Sequence, residues 1–302
     1  MESMAAPKLP SDWHVFDPEL IADTVSSRIW KVRRVDGSFA IVKALKDFDD
    51  VYDELRGAFL LDWRDGAGLV RLLGRQGTTM LLEYADGPLL SAELDARGDG
   101  HATAIALEVM AELHAPSARP VPPELQPLRE RFHELFARAR SGPVTATAPG
   151  GGRPDLDAAR TSGECDPDAL YRVAADIADR LLGDQRDVRP LHGDLHHDNI
   201  LHSARGWLAI DPKGVLGDPC FDAANLFYNP LDRTGLCLDP ERIAGLAAAC
   251  ARTLRRDERT VLEHAFVYGC LSAAWHAEDA NTVDEERELS VASAIHAVGA
   301  GL

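Results

Sequence analysis

Residues 191–214 read LHGDLHHDNILHSARGWLAIDPKG, and the order of carboxylates and carboxamide within them decides how the rest of the chain is read. Ile200-Leu201-His202 and Trp207-Leu208-Ala209-Ile210 are short apolar runs around the polar turn Ser203-Ala204-Arg205-Gly206, the pattern of a β-hairpin. Folding the hairpin back sets Asn199, just before its first strand, beside Asp211, just after its second. One carboxylate and one amide oxygen suit a hard cation such as Mg²⁺, which takes oxygen ligands and keeps room for waters and phosphates. Asp194 precedes Asn199 on the same loop, placed to face a substrate hydroxyl. Two plainer readings compete. His192, His196 and His197 suggest a metal cluster, but they lack the Cys partners and ligand spacing of a zinc site. An Asp in a Gly-containing loop is often only a turn residue, yet three polar residues and the intervening hairpin agree on one cation-binding arrangement.

The Asp194-to-Asn199 spacing, with a second acidic residue downstream, matches a kinase catalytic loop. The longer stretch LHGDLHHDNILHSARGWLAIDPKGVLGDPCFDAANLFYNP, residues 191–230, resembles the aminoglycoside phosphotransferase family. Within it, the His196-His197 pair and Ile210-Asp211-Pro212-Lys213-Gly214 point to the branch of streptomycin 6-phosphotransferases and hydroxyurea phosphotransferases. The resemblance implies an α+β, bilobal, protein-kinase-like fold, with a small antiparallel β N-lobe carrying one helix and a larger, mainly helical C-lobe. It also implies ATP as donor, Mg²⁺ as cofactor and a small hydroxylated antibiotic as acceptor. By position, Asp194 resembles the catalytic base, and Asn199 and Asp211 the metal ligands. Asp222 resembles a buried Asp at a helix start that braces the catalytic loop, with His192 in the same supporting role. Asp222 also reads as a plain N-cap of the apolar helix that follows it.

At 302 residues the chain is long enough for one large domain or two lobes. Its 45% apolar and 27% charged content is ordinary for a soluble globular protein. A net charge of −17 argues against nucleic acid as a partner and favours a cationic ligand. Five cysteines, odd in number and without a C-x-x-C pair, fit a reducing cytoplasm. No signal-like N-terminus and no apolar run of membrane-spanning length is evident, so a cytoplasmic protein without membrane partners is expected, acting as a monomer.

Upstream, residues 28–35 and 38–43 alternate around Asp36-Gly37 and read as a hairpin. Residues 49–62 carry Val51, Leu55, Ala58, Phe59 and Leu61 near helical spacing, and 69–73 and 78–84 are further strands. These four strands and one helix have the layout of a kinase N-lobe. Lys43 ends the second hairpin strand, where a kinase places its phosphate-binding lysine. Its expected ion-pair partner is Glu54, with Asp53 and Asp50 as alternatives. The turn Thr24-Val25-Ser26-Ser27, just before the first strand, is the candidate phosphate-covering turn, with Ser26 and Ser27 as contacts. It holds no glycine, so an ordinary exposed turn is the competing reading. Residues 83–88 break the pattern and read as the hinge, where main-chain groups of Glu83 and Ala85 would meet the adenine edge.

Beyond the hinge the chain turns helical, over 102–114, 128–140, 169–182 and most of 240–302. The Gly- and Pro-rich segment 141–168 reads as a mobile insertion. Near one C-terminal turn, Trp275, Glu278 and Asp279 combine an aromatic with acidic groups and are candidates for an acceptor wall, or simply a solvated helix face. The expected organisation is a nucleotide-binding lobe over 1–85 and a catalytic, acceptor-binding lobe over 86–302. The expected activity is ATP-dependent phosphorylation of streptomycin at its 6-hydroxyl. The alternatives are a kinase of hydroxyurea or another small hydroxylated metabolite, or a non-catalytic kinase-like binding module. Pro212-Lys213 replaces the Phe-Gly of protein kinases, which is against a protein substrate.

Overall fold

The computed structural model describes residues 9–47, 51–141 and 166–302, and the chain divides into two compact units. The first comprises Met1–Gln126 with Pro190–Leu216, the second Pro127–Arg189 with Gly217–Leu302. Most of the segment expected to be a mobile insertion lies outside the described residues.

The first unit is built on a five-stranded antiparallel sheet of order β1-β2-β3-β5-β4. Its strands are β1 (Val15–Asp23), β2 (Ser27–Arg34), β3 (Phe39–Leu45), β4 (Leu72–Gln76) and β5 (Thr79–Glu83). Alternation sorts β3 into two faces. Ala40 and Val42 join Trp30, Val32 and Leu81 in one buried cluster. On the other face, Leu45 packs with Met80 and with Ala58 of helix α1 (Val51–Arg64). Lys43, two residues before Leu45, therefore points to the α1 side of the sheet, where Glu54 lies one turn before Ala58.

Strand β1 corrects one expectation: the turn at 24–27 does not precede the first strand but joins two strands. β1 escapes a periodicity search because Pro18 and two register shifts interrupt it, and its residues are mostly exposed. Two glycines bring α1 unusually close to the segment after the hairpin of Ile200–Ser203 and Gly206–Ala209. A Cβ on Gly57 would lie 1.8 Å from the Pro212 carbonyl oxygen, and one on Gly214 (φ +66) would lie 2.5 Å from that of Arg56. Only hydrogen fits at either contact.

The second unit is mainly helical, as expected. Its helices Pro167–Gly183, Pro240–Leu254, Glu258–Glu278 and Thr282–Gly299 start at Asp166, Asp239, Asp257 and Asn281, whose side chains accept backbone N–H bonds. Proline in the first turn after Asp166 and Asp239 pre-sets the helical φ. Glu258–Glu278 is the most enclosed of these, and there a Cβ on Gly269 would overlap the Tyr228 hydroxyl at 1.9 Å.

Gly57→Ala should destabilise the protein by about 3 kcal/mol, because the α1 backbone must retreat from Pro212. Gly245→Ala, on an exposed helical position with no atom within 4 Å, should stabilise by about 0.5–1 kcal/mol. Urea unfolding of both variants checks the contrast; similar midpoints for the two would refute the close approach.

Candidate active site

The hairpin forms as its sequence pattern implies, with Ile200–Ser203 paired antiparallel to Gly206–Ala209 and Ile200 opposite Ala209. Beyond it, the Ile210 N–H donates to the Asn199 carbonyl at 2.9 Å, which fixes Asn199 next to the segment carrying Asp211. The Asn199 Nδ2 donates to the Asp194 main-chain oxygen at 2.9 Å and to its carboxylate Oδ2 at 3.2 Å. Asn199 thereby holds Asp194 in orientation, while its amide oxygen keeps its acceptor capacity.

His192 ties this loop to the Asp211 segment. Its Nδ1 accepts the Asp194 N–H at 3.2 Å and its Nε2 meets the Ile210 carbonyl at 2.8 Å. An N–H aimed at Nδ1 and a carbonyl at Nε2 select the neutral Nε2–H tautomer. The Lys213 N–H donates to the His192 carbonyl at 2.7 Å, a third link between the same two segments. Gly193 between them has φ +83, and a Cβ there would lie 2.6 Å from Val215 Cγ2. His196 caps the following turn by accepting the Asp198 N–H, and His197 is buried.

Lys43 is buried and donates to Glu54 Oε2 at 2.6 Å, so Glu54 is its partner on α1. Asp50 lies outside the described residues. Lys43 also donates to Asp211 Oδ1, and Lys213 donates to the other Glu54 oxygen while standing 3.7 Å from Asp211 Oδ2. Two ammoniums and two carboxylates thus alternate around a ring. Burial pushes the Asp211 carboxyl up, but Lys43 and Lys213 outweigh it and hold its pKa at about 2. Burial likewise pushes the Lys213 ammonium down, and Asp211, Glu54 and Asp194 together raise it above its ordinary value. Asp211 sits at φ 60, a left-handed conformation that Asp tolerates better than most residues and that active sites often contain.

Asp211 is ionised across the physiological range, and its side chain is 37% exposed. With the Asn199 amide oxygen it offers hard oxygen donors from adjacent backbone segments, a set that fits Mg²⁺ completed by phosphate and water oxygens. Sequence reasoning used Lys213 only within the run Ile210–Gly214 that marks the family branch and as a departure from Phe-Gly, and gave it no role at the site. A lysine between Pro212 and Gly214, directly after a candidate metal ligand, was the available signal.

Arg205, in the hairpin turn, was also missed. It grips Glu83 with Nε at 2.9 Å and Nη2 at 2.6 Å, and donates to the Gly66 and Leu69 carbonyls. Although burial pushes the Glu83 carboxyl up, Arg205 and the Arg71 N–H hold it below its ordinary value. The Glu83 N–H goes to the Arg71 carbonyl, and Gly87 and Pro88 exchange main-chain bonds with His202. The expected hinge is thus joined by backbone to the hairpin, with Ala85 between the two anchors.

In the turn at 24–27, Thr24 N–H donates to the Ser27 carbonyl at 2.8 Å and Ser27 N–H to the Thr24 hydroxyl at 3.0 Å. Ser27 is buried, with its hydroxyl against that of Thr24. In the second unit, Asp222 lies inside the helix Cys220–Ala224, buried. It is not the N-cap: Asp218 Oδ1 accepts the Cys220 N–H at 3.0 Å, because the turn Asp218-Pro219 starts the helix earlier. Trp275 carries the Arg131 guanidinium at 5.0 Å from its ring centroid, and Glu278 and Asp279 are exposed at the end of Glu258–Glu278.

The family model described as aminoglycoside/hydroxyurea antibiotic resistance kinase matches residues 12–280. The streptomycin 3''-kinase of Klebsiella pneumoniae is 35% identical, the match covering 88% of this chain and 90% of that protein. The streptomycin 6-kinase of Streptomyces griseus is 29% identical over 89% of this chain and 81% of that protein. Among solved structures, a thermostable variant of aminoglycoside phosphotransferase APH(4)-Ia, in ternary complex with AMP-PNP and hygromycin B, superposes with a TM-score of 0.61. That pair shares 16% identity over 95% of this chain and 96% of the other, which establishes the protein-kinase-like fold.

The depressed Asp211 pKa makes a signed prediction. Its stabilising ion pairs are complete above its ordinary value of 3.8 and are lost as pH falls toward about 2. The stability gap between wild type and Asp211→Asn, read from urea midpoints, should be widest at neutral pH and close across that window. A gap independent of pH would place Asp211 outside the ion-pair ring.

Proposed function

Because the chain belongs to the aminoglycoside/hydroxyurea antibiotic resistance kinase family, and is therefore a phosphotransferase, we propose that it phosphorylates a hydroxyl of streptomycin, the 6-hydroxyl, using MgATP. The observation that carries the chemistry is the hairpin-linked set Asp194, Asn199 and Asp211, with Asn199 bonded to Asp194. Both 6- and 3''-kinases of streptomycin are among the relatives, so the position of transfer is the finer part of the proposal.

MgATP, when bound, supplies a transferable phosphoryl group and the cation that neutralises its charge. Asn199 and Asp211 would hold the metal through their side-chain oxygens. Asp194, aligned by Asn199, orients the acceptor hydroxyl and takes its proton late, as suits a weak base in a loose transition state. Lys43, anchored by Glu54, would meet the phosphates, and the turn at Ser26 and Ser27 would cover them. Main-chain groups of Glu83 and Ala85 would meet the adenine edge, with the nucleotide in a lobe over 1–85 and the acceptor in 86–302. His192 and Asp222 support the loop. Trp275, Glu278 and Asp279 face the acceptor, whose cationic groups suit a protein of net charge −17. The protein acts as a cytoplasmic monomer. Hydroxyurea is the second reading, favoured by its place in the family description.

Mass spectrometry of streptomycin incubated with enzyme and MgATP should show one added phosphate, assigned to the 6-position by fragmentation. Asp194→Ala should lower kcat by about 10²–10⁴-fold while ATP binding persists. Unmodified streptomycin, or hydroxyurea phosphorylated faster, would reject this acceptor. An unchanged kcat in Asp194→Ala would reject the base.

A further inference from the structure

Resting on the phosphotransferase reading above, we propose that Lys213 is a second phosphate-binding residue, one that exchanges Asp211 for a phosphate oxygen while keeping its hold on Glu54. Three observations lead there.

The first is the division of Glu54. Its Oε2 takes Lys43 and its Oε1 takes Lys213, so neither lysine depends on Asp211 for its anchor. A cation held by Asp211 and Asn199 repels both ammoniums, and each can turn away from Asp211 without leaving its own oxygen of Glu54. The nearest compensating negative charge is then phosphate.

The second is how Lys213 is mounted. Its N–H is bonded to the His192 carbonyl at 2.7 Å, Pro212 precedes it with its ring-fixed φ, and Gly214 after it abuts the Arg56 carbonyl. The backbone is fixed on both sides, while 17% of the side chain stays exposed. Such a mount sets where a flexible ammonium can reach, a positioning role that a solvated surface lysine lacks.

The third is the covering turn. Thr24 and Ser27 use their N–H groups within the turn itself, and no glycine stands at 24–27. A turn of this kind presents fewer N–H groups to phosphate than a glycine-rich one. A second cation, carried on the fixed segment after the hairpin, supplies the compensating charge.

The test is equilibrium binding by calorimetry to wild type, Lys213→Met and Lys213→Arg, using MgATP, AMP and Mn²⁺ alone. Lys213→Met should weaken MgATP by about tenfold and leave AMP within about twofold, because AMP lacks the β- and γ-phosphates. It should also tighten Mn²⁺ measured without nucleotide, since one ammonium no longer competes for Asp211. Lys213→Arg, which keeps the charge, should hold MgATP within about threefold of wild type. If Lys213→Met does not fold, Lys213→Gln takes its place with the same expected signs. Equal MgATP affinity in wild type and Lys213→Met overturns the proposal, as does a parallel loss of MgATP and AMP, which marks a purely structural residue. Failure of wild type itself to bind MgATP overturns the phosphotransferase reading, and this proposal with it.

Discussion

One carboxylate, Glu54, holds two lysines, and the candidate site is organised around that sharing. Lys43 reaches it from the sheet and Lys213 from the segment after the catalytic hairpin, with Asp211 closing the ring. Lys43 and Glu54 are buried and Asp211 and Lys213 partly so, which is costly unless each charge is paired in good geometry, and removing one leaves its neighbours uncompensated. The ring therefore dictates its surroundings. α1 must lie against residues 212–214 with no Cβ between them, which explains Gly57 and Gly214. The β3 register must aim Lys43 at α1, and the residues flanking it on that face and its opposite are apolar.

A second set of contacts ties the Asp194 loop into the same compact unit. His192 joins the Asp194 loop to Ile210, Asn199 joins Asp194 to the hairpin, and Arg205 joins the hairpin turn to Glu83. Asp194, Asn199, the Asp211 segment and Glu83 are thus linked by short hydrogen bonds within one compact unit. Preorganisation of this kind is what phosphoryl transfer asks of a protein, since the chemistry is mostly positioning and charge neutralisation.

Much of this was legible in the sequence wherever the determinant was local. The hairpin announced itself through two apolar runs and a polar turn, and its closure alone implied that Asn199 and Asp211 are neighbours. Lys43 and Glu54 followed from the kinase-like layout, a lysine ending the second hairpin strand with an acidic helix behind it. Legibility failed where a partner lay far along the chain: Lys213 meets Glu54 across 159 positions and Arg205 meets Glu83 across 122. Strand β1 was hidden by Pro18 and its bulges. The plainer reading of Asp222 as a cap fails because Asp218-Pro219 offers the earlier helix start. The 24–27 turn looked like a phosphate loop by position, while its own hydrogen bonds close part of it.

Family membership makes the chain a phosphotransferase, and the ring describes how its residues would receive a nucleotide's charge. A crystal structure with Mg²⁺ and AMP-PNP examines that account most directly. The account predicts a cation between the Asn199 amide oxygen and the Asp211 carboxylate, both lysines on phosphate oxygens, and each still bonded to Glu54. A metal bound elsewhere, or a nucleotide whose phosphates leave Lys43 and Lys213 on Asp211, would contradict it.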